Sequence, residues 1–317
     1  MIKRICVLLL TSCLLLPSIV AQGMEEQPQK ENRTLVTVTH GLGTTETPEN
    51  PDRILVYDLG ALDILDSVGI EVFGIGRGAK LPEHLSLYEN DSYSVVGSLH
   101  EPDFEKVYEV QPDLIFIGGR AAAAYEELSK IAPTILITLP GVGYMQTMKD
   151  NLEILASIFP DKRKTLAVSL SQIEQQSNEI STYVREQELT ALFVMVNAGN
   201  LSVFGSGSRF SNIYDMFGFS VSDETIQSST HGQSSSFEYL LQQDPDYLFV
   251  LDRSAATGAQ QPGQSAREIL DNELVHQMNA WTKDQIIYVD PSSWYVASGG
   301  ISSTQVMIDD VANGLGL

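Results

Sequence analysis

The sequence predicts an α/β fold of two similar lobes joined by a single long α-helix, and three observations carry that expectation. Strand-like and helix-like segments alternate over most of the chain. A 17-residue pattern occurs twice, at a constant offset of 133 residues. Between the copies, Asp161 to about Glu188 contains neither Gly nor Pro and repeats apolar residues at helical spacing.

The alternation begins with Thr34 to Thr39, a β-branched run typical of a strand. Arg53 to Tyr57 is a second, apolar strand, and Gly60 to Val68 has Leu62, Leu65 and Val68 on one helical face. Val72 to Ile75, Leu114 to Ile117 and Thr134 to Leu139 read as further buried strands. Strands separated by helices imply a mostly parallel sheet covered on both faces. The pattern resumes after the central stretch with Leu192 to Val196, Tyr247 to Leu251 and Ile286 to Val289.

The central stretch places Leu166, Leu170, Ile173 and Ile180 on one face. An amphipathic helix there would reach roughly 40 Å at 1.5 Å per residue, enough to pass from one lobe to the other. The expected division is therefore 34–160 for the first lobe, 161–188 for the connecting helix and 189–317 for the second lobe.

The repeat is the most specific signal. FEKVYEVQPDLIFIGGR at 104–120 aligns without gaps on FEYLLQQDPDYLFVLDR at 237–253. Each copy predicts a short helix, a Pro-Asp turn, a buried strand and an arginine just beyond the strand's carboxyl end, Arg120 and Arg253. Ligands of open α/β sheets bind outside the carboxyl ends of the strands. Two lobes facing each other would thus bring two arginines to one cleft.

The first residues read as an export signal over 1–23. Lys3 and Arg4 precede an apolar run, Ile5 to Leu16, and Ala21 and Gly23 offer cleavage sites. Thr11, Ser12 and Pro17 break the run short of the ~20 residues that span a bilayer. A lipoprotein box at Leu10 to Cys13, with Cys13 lipidated, ranks second. Residues 24–33 are polar and read as a flexible lead. Both cysteines, Cys6 and Cys13, fall inside the signal, so the exported chain would rest on its core rather than on disulfides. The net charge of −22 makes nucleic acid and anionic membranes poor partners.

In combination, several segments resemble the periplasmic binding proteins of ATP-driven iron–siderophore importers, in particular the petrobactin- and enterobactin-type catecholate group. They are NPDRILVYDLGALDILDSVGI (50–70), the two repeat copies, GSRFSNIYDMFGF (207–219), THGQSSSFEYL (230–240) and WYVASGG (294–300). The resemblance implies two Rossmann-like lobes joined by one helix, the class III periplasmic binding fold. It implies a periplasmic, monomeric protein with no intrinsic cofactor, which takes a ferric siderophore, Fe(III) included, as ligand and delivers it to an ABC permease.

It further implies that Arg120, Arg209 and Arg253 hold the catecholate oxygens, which suits guanidinium forks on oxygen anions. His231 and Tyr295 match positions that ligate iron when a siderophore fills only four sites. A phenolate is a natural donor to hard ferric iron. On residue type alone, an exposed loop histidine and a tyrosine packed by Trp294 are the better explanation, and only the match to the family's positions brings the metal role level with it. Glu105 and Glu238 match carboxylates that dock on the permease, and ordinary solvated helix glutamates are the alternative.

Other classes fit less well. A bare zinc carrier needs convergent His and carboxylate ligands, whereas the five histidines are scattered in sequence. Haem, a corrinoid or a hydroxamate siderophore stays open as cargo, but neither haem nor a corrinoid calls for three arginines. An exported enzyme acting on siderophores is the least favoured reading. Gly74 to Gly78 lacks dinucleotide-loop spacing, and the chain carries no G-x-S-x-G elbow, no Walker loop and no cysteine outside the signal.

Overall fold

The computed structural model describes residues 33–138, 143–229 and 231–317. The expected export signal, the lipoprotein box with Cys13 and nearly all of the polar lead fall outside these residues, as does Leu139 at the end of one expected strand. Thr34–Leu317 forms one compact unit.

Thirteen strands are found among the described residues. A hairpin of β1 (Leu35–His40) and β2 (Gly43–Pro48) stands apart as its own two-stranded sheet. Then come β3 (Ile54–Tyr57), β4 (Gly74–Arg77), β5 (Ser94–Ser98), β6 (Leu114–Ile117) and β7 (Thr134–Leu136). They form an all-parallel sheet in the order β5-β4-β3-β6-β7. Its central strand β3 and the neighbouring β6 are entirely buried, as parallel strands covered on both faces must be.

The second sheet contains β8 (Thr190–Asn197), β9 (Asn200–Phe204), β10 (Ser220–Val221), β11 (Gln233–Ser235), β12 (Tyr247–Asp252) and β13 (Ile286–Tyr288). Its order is β11-β9-β8-β12-β13, with β10 also on β8. Here the expectation of parallel pairing is only partly met. β8, β12 and β13 run parallel, but β9 folds back on β8 and β11 on β9. The cause is local: Ala198 and Gly199 both have positive φ, 47° and 84°. A two-residue turn of that kind matches strand twist and closes a tight hairpin.

The two sheets are linked by the helix Arg163–Glu186, preceded by a 3-10 turn at Pro160–Lys162. Its 24 residues span about 36 Å. Leu166, Ile173, Ile180 and Val184 form the buried stripe. Two α/β sheets linked by one long helix are thus present, as expected.

The repeat is visible in three dimensions. Helices Phe104–Val110 and Phe237–Gln243 are capped by Asp103 and Ser236 and end at Gln111 and Asp244, both left-handed. Asp113 then accepts from the Arg53 N–H at 3.0 Å, beside β3. Asp246 accepts from the Thr190 N–H at 3.0 Å, at the start of β8. Each Pro-Asp turn therefore staples the strand that carries the arginine to the central strand beside it.

The last helix, Ile301–Leu315, returns to pack against the helix Leu59–Ser67 and against the connecting helix. Asp63, fully buried, takes up its first turn. It accepts from the N–H groups of Ser302 and Ser303 at 2.8 Å, from Ser303 Oγ at 2.7 Å and from His84 Nε2 at 2.7 Å. A helix start leaves its N–H groups without intrahelical partners, and this carboxylate supplies acceptors from another helix.

Candidate ligand-binding site

A cleft of about 750 Å³ opens at the carboxyl ends of the strands, lined from both halves of the chain by Arg120, Arg209, His231 and Tyr295 among others. Arg120 follows β6 in a short 3-10 turn, and Arg253 follows β12 as the first residue of a short helix. Arg209 lies in the Gly205–Ser211 loop, where Ser208 Oγ donates to the Gly205 carbonyl at 2.7 Å.

All three guanidinium groups meet at one residue, Tyr295. Arg120 and Arg209 each donate from Nη2 to its main-chain carbonyl at 3.0 Å. Arg253 donates from Nε to its phenol oxygen at 3.0 Å and from Nη1 to Asn197 Oδ1 at 3.2 Å. The Arg209 guanidinium carbon lies 4.4 Å from the centre of the Tyr295 ring. Arg253 is not among the side chains that line the cleft; it reaches the cleft through the phenol it holds.

This arrangement perturbs both partners. Burial chiefly lowers the Arg209 pKa, and the like charges of Arg120 and Arg253 act in the same direction. Burial opposes ionisation of the Tyr295 phenol. The hydrogen bond from Arg253, with the charges of Arg209, Arg253 and Arg120, outweighs that and holds the phenol below its ordinary value.

The segment bearing Tyr295 is anchored on both sides. Trp294 is buried beside Phe193 and Phe217. Its indole N–H donates to Asp310 Oδ2 at 2.8 Å. Burial pushes the Asp310 carboxyl up to about 6. On the other side, the Gly299 N–H donates to the Tyr144 hydroxyl at 3.1 Å, and that hydroxyl lies 2.7 Å from Thr304 Oγ1.

His231 is exposed at the cleft, with its main-chain N–H donating to Ser229 Oγ at 3.2 Å. Thr230 beside it lies outside the described residues. Among the described residues no group of three or more His, Cys, Asp or Glu is arranged to hold a metal ion. His231 and Tyr295 could add two donors to an ion that arrives with most of its coordination already filled. Glu105 and Glu238 are both exposed, in the first turns of the two repeat helices.

Sequence reasoning missed several members of this site. His100 lines the cleft, so two of the histidines that looked scattered share it. His84 and His276 instead bond Asp63 and Asp271, each at 2.7 Å. Asp58, just beyond β3, caps the helix Leu59–Ser67 through the Ala61 N–H and faces the cleft close to Arg120. Burial raises its pKa, against the pull of the Ala61 N–H and of the Arg120 charge. Gly118 leaves room for it, because a Cβ there would overlap the Asp58 carboxylate. Asp58 stands one residue past a buried strand, the one signal that could have singled it out.

Comparison with known proteins gives a consistent picture. A profile of the family described as periplasmic binding protein matches residues 54–293. The chain is 38% identical over 298 residues to the petrobactin-binding protein YclQ of Bacillus subtilis, covering 93% of this chain and 92% of that protein. It is 33% identical to the ferric-anguibactin-binding protein FatB of Vibrio anguillarum, covering 93% and 91%. Among solved structures, the periplasmic catecholate-siderophore binding protein VctP of Vibrio cholerae superimposes with a TM-score of 0.84 at 36% identity, covering 88% of this chain and all of that one.

Proposed function

The chain belongs to the periplasmic binding protein family, and from that premise we propose that it is the solute-binding component of an ABC importer which captures a ferric catecholate siderophore. The observation that carries the proposal is the meeting of Arg120, Arg209 and Arg253, from three separate segments, on Tyr295 at the cleft. In an acidic protein of net charge −22, such convergence suits a multiply anionic cargo. The names of the similar proteins, which bind petrobactin, ferric anguibactin and catecholate siderophores, support the same class of cargo.

The Tyr295 carbonyl stands where a cargo oxygen would be received. Catecholate oxygens are anionic, so the forks of Arg120 and Arg209 gain charge-assisted bonds in exchanging a carbonyl for them. Arg253 contributes at one remove, through a hydrogen bond that fixes the Tyr295 phenol and favours its ionised form. That phenolate, with His231, would complete the coordination of iron in a four-donor complex. Ligand capture involves no bond-making beyond coordination and hydrogen bonding. The exposed Glu105 and Glu238, one on each repeat helix, would dock on basic residues of a permease with two similar halves.

Intrinsic-fluorescence quenching with ferric tris-catecholate, bis-catecholate, hydroxamate and citrate complexes tests the proposal, with haem as a control. Tight binding confined to the catecholates is expected. Preference for a hydroxamate, citrate or haem would overturn the assignment of cargo.

A further inference from the structure

We propose that Asn197 is a positioning residue for the cleft: acting through Arg253, it sets the place of the Tyr295 phenol and so the discrimination between four-donor and six-donor ferric chelates. This rests on the reading of Tyr295 as a donor to iron.

The geometry starts from strand register. β8 and β12 are adjacent parallel strands, and Val196 pairs with Asp252 as their last partners. The next residues along each strand, Asn197 and Arg253, therefore emerge side by side at the carboxyl edge of the sheet. Asn197 is also the last β8 residue of the β8–β9 hairpin, paired with Asn200 across the Ala198–Gly199 turn. Its main chain is thus held by a ladder rather than by a free loop. Its Oδ1 accepts from Arg253 Nη1 at 3.2 Å, while Arg253 Nε reaches the Tyr295 phenol at 3.0 Å.

A guanidinium is planar and presents its donors in a fixed fork. Two acceptors on different nitrogens determine both its position and its plane. Remove the Asn197 acceptor and, among the described residues, the Arg253 guanidinium keeps one hydrogen-bond partner, around which the fork can turn. The phenol then loses a fixed donor on its far side. A six-donor complex fills its own iron coordination and asks little of that oxygen. A four-donor complex needs the oxygen within bonding distance of the metal, where misplacement is expensive.

The other repeat arginine is backed differently. Arg120 and Asp58, which stands just past the end of β3, interact by charge alone, with no hydrogen bond or ion pair between them among the described residues. In the second half the neighbouring strand end instead supplies a neutral amide, which bonds Arg253 directly. It orients Arg253 without cancelling its charge toward the phenol.

The test uses the full chain with Asn197→Ala and the near-isosteric Asn197→Asp, which retains an acceptor. The first readout is hydrogen exchange of the Arg253 Nε–H in spectra of 15N-arginine-labelled protein, assigned with Arg253→Lys. Asn197→Ala is expected to lower its protection at least tenfold, and Asn197→Asp to keep it within threefold of wild type. The second readout is quenching affinity for a ferric bis-catecholate and a ferric tris-catecholate. Asn197→Ala should weaken the four-donor complex at least fivefold more than the six-donor complex.

Unchanged Nε–H protection in Asn197→Ala overturns the proposal, as does equal loss in both variants. Lost protection without a selective loss of the four-donor complex upholds the positioning of Arg253 by Asn197. That result removes instead the reading of Tyr295 as an iron donor.

Discussion

Replacing Asp63 by alanine should be among the costliest single substitutions in this protein. Asp63 is fully buried and is the acceptor for Ser302 N–H, Ser303 N–H, Ser303 Oγ and His84 Nε2, all between 2.7 and 2.8 Å. Alanine orphans these groups together. A buried donor left without a partner costs about 1–3 kcal/mol, and loss of a helix cap costs about 1 kcal/mol. Some relaxation toward water is available on the His84 side, whose side chain is 26% exposed. The expected loss is about 3–5 kcal/mol, the range typical of breaking a buried pair. The Asp63→Asn variant would retain one acceptor oxygen and should lose about half as much. Guanidinium unfolding at pH 7, followed by far-UV circular dichroism, measures both variants. The hydrogen bond to Asp63 is the main cause that raises the His84 pKa. A raised folded value means that this part of the stability is complete below the unfolded value, about 6.5. It is lost as pH rises through the folded value. The gap between wild type and Asp63→Ala should accordingly be wider at pH 5.5 than at pH 8.5. An Asp63→Ala loss below about 1 kcal/mol, or a gap that widens toward high pH, would refute the account of this lock.

Two further predictions follow from the same structure. Asp310, with its carboxyl pushed up to about 6 mainly by burial, binds its proton more tightly folded than unfolded. As pH rises from about 4 to about 6, wild type should therefore lose stability relative to Asp310→Asn, which carries no such proton; parallel denaturant titrations across that window check the sign, and a constant difference would count against it. Charge reversal at Glu105 and Glu238, by Glu105→Lys and Glu238→Lys together, should leave ferric-siderophore affinity within twofold and abolish stimulation of the permease ATPase in reconstituted vesicles. A matching loss of affinity would assign these residues to the cleft rather than to docking.

Much of the architecture was legible because it depends on patterns that sequence carries directly. Buried parallel strands are continuous apolar runs, so β3, β6 and β12 could be read almost to the residue. The connecting helix followed from its freedom from Gly and Pro and its apolar stripe. The repeat predicted where Arg120 and Arg253 emerge because Pro-Asp turns, strand and arginine keep fixed spacing. Other features leave no such trace. β2 is GTTETP, with no apolar alternation, and holds as a strand through its pairing with β1. The turn reversing β8 into β9 was written in Asn197-Ala198-Gly199-Asn200, but no strand was expected after it, and alternation with helices favoured parallel crossovers.

The site shows the same division between local and distant information. Arginine positions are local, whereas the group that Arg120 and Arg209 bind in the cleft is a main-chain carbonyl, which has no identity in sequence. The packing of the last helix on Asp63 joins residues 239 and 240 positions apart, beyond the reach of periodicity. Asp58 and Asn197 become meaningful only once strand register sets each beside an arginine.

The central claim is that Arg120 and Arg209 exchange the Tyr295 carbonyl for oxygens of an anionic ferric chelate. It is tested most directly by the affinity of a ferric tris-catecholate for wild type, Arg120→Ala, Arg209→Ala and the double variant, measured by fluorescence quenching. A charge-assisted hydrogen bond contributes about 1.5–3 kcal/mol, so each single variant should bind about 10- to 100-fold more weakly. Both losses should shrink as salt is raised, since part of each is charge attraction across a solvent-open cleft. Wild-type affinity in the double variant would contradict the claim.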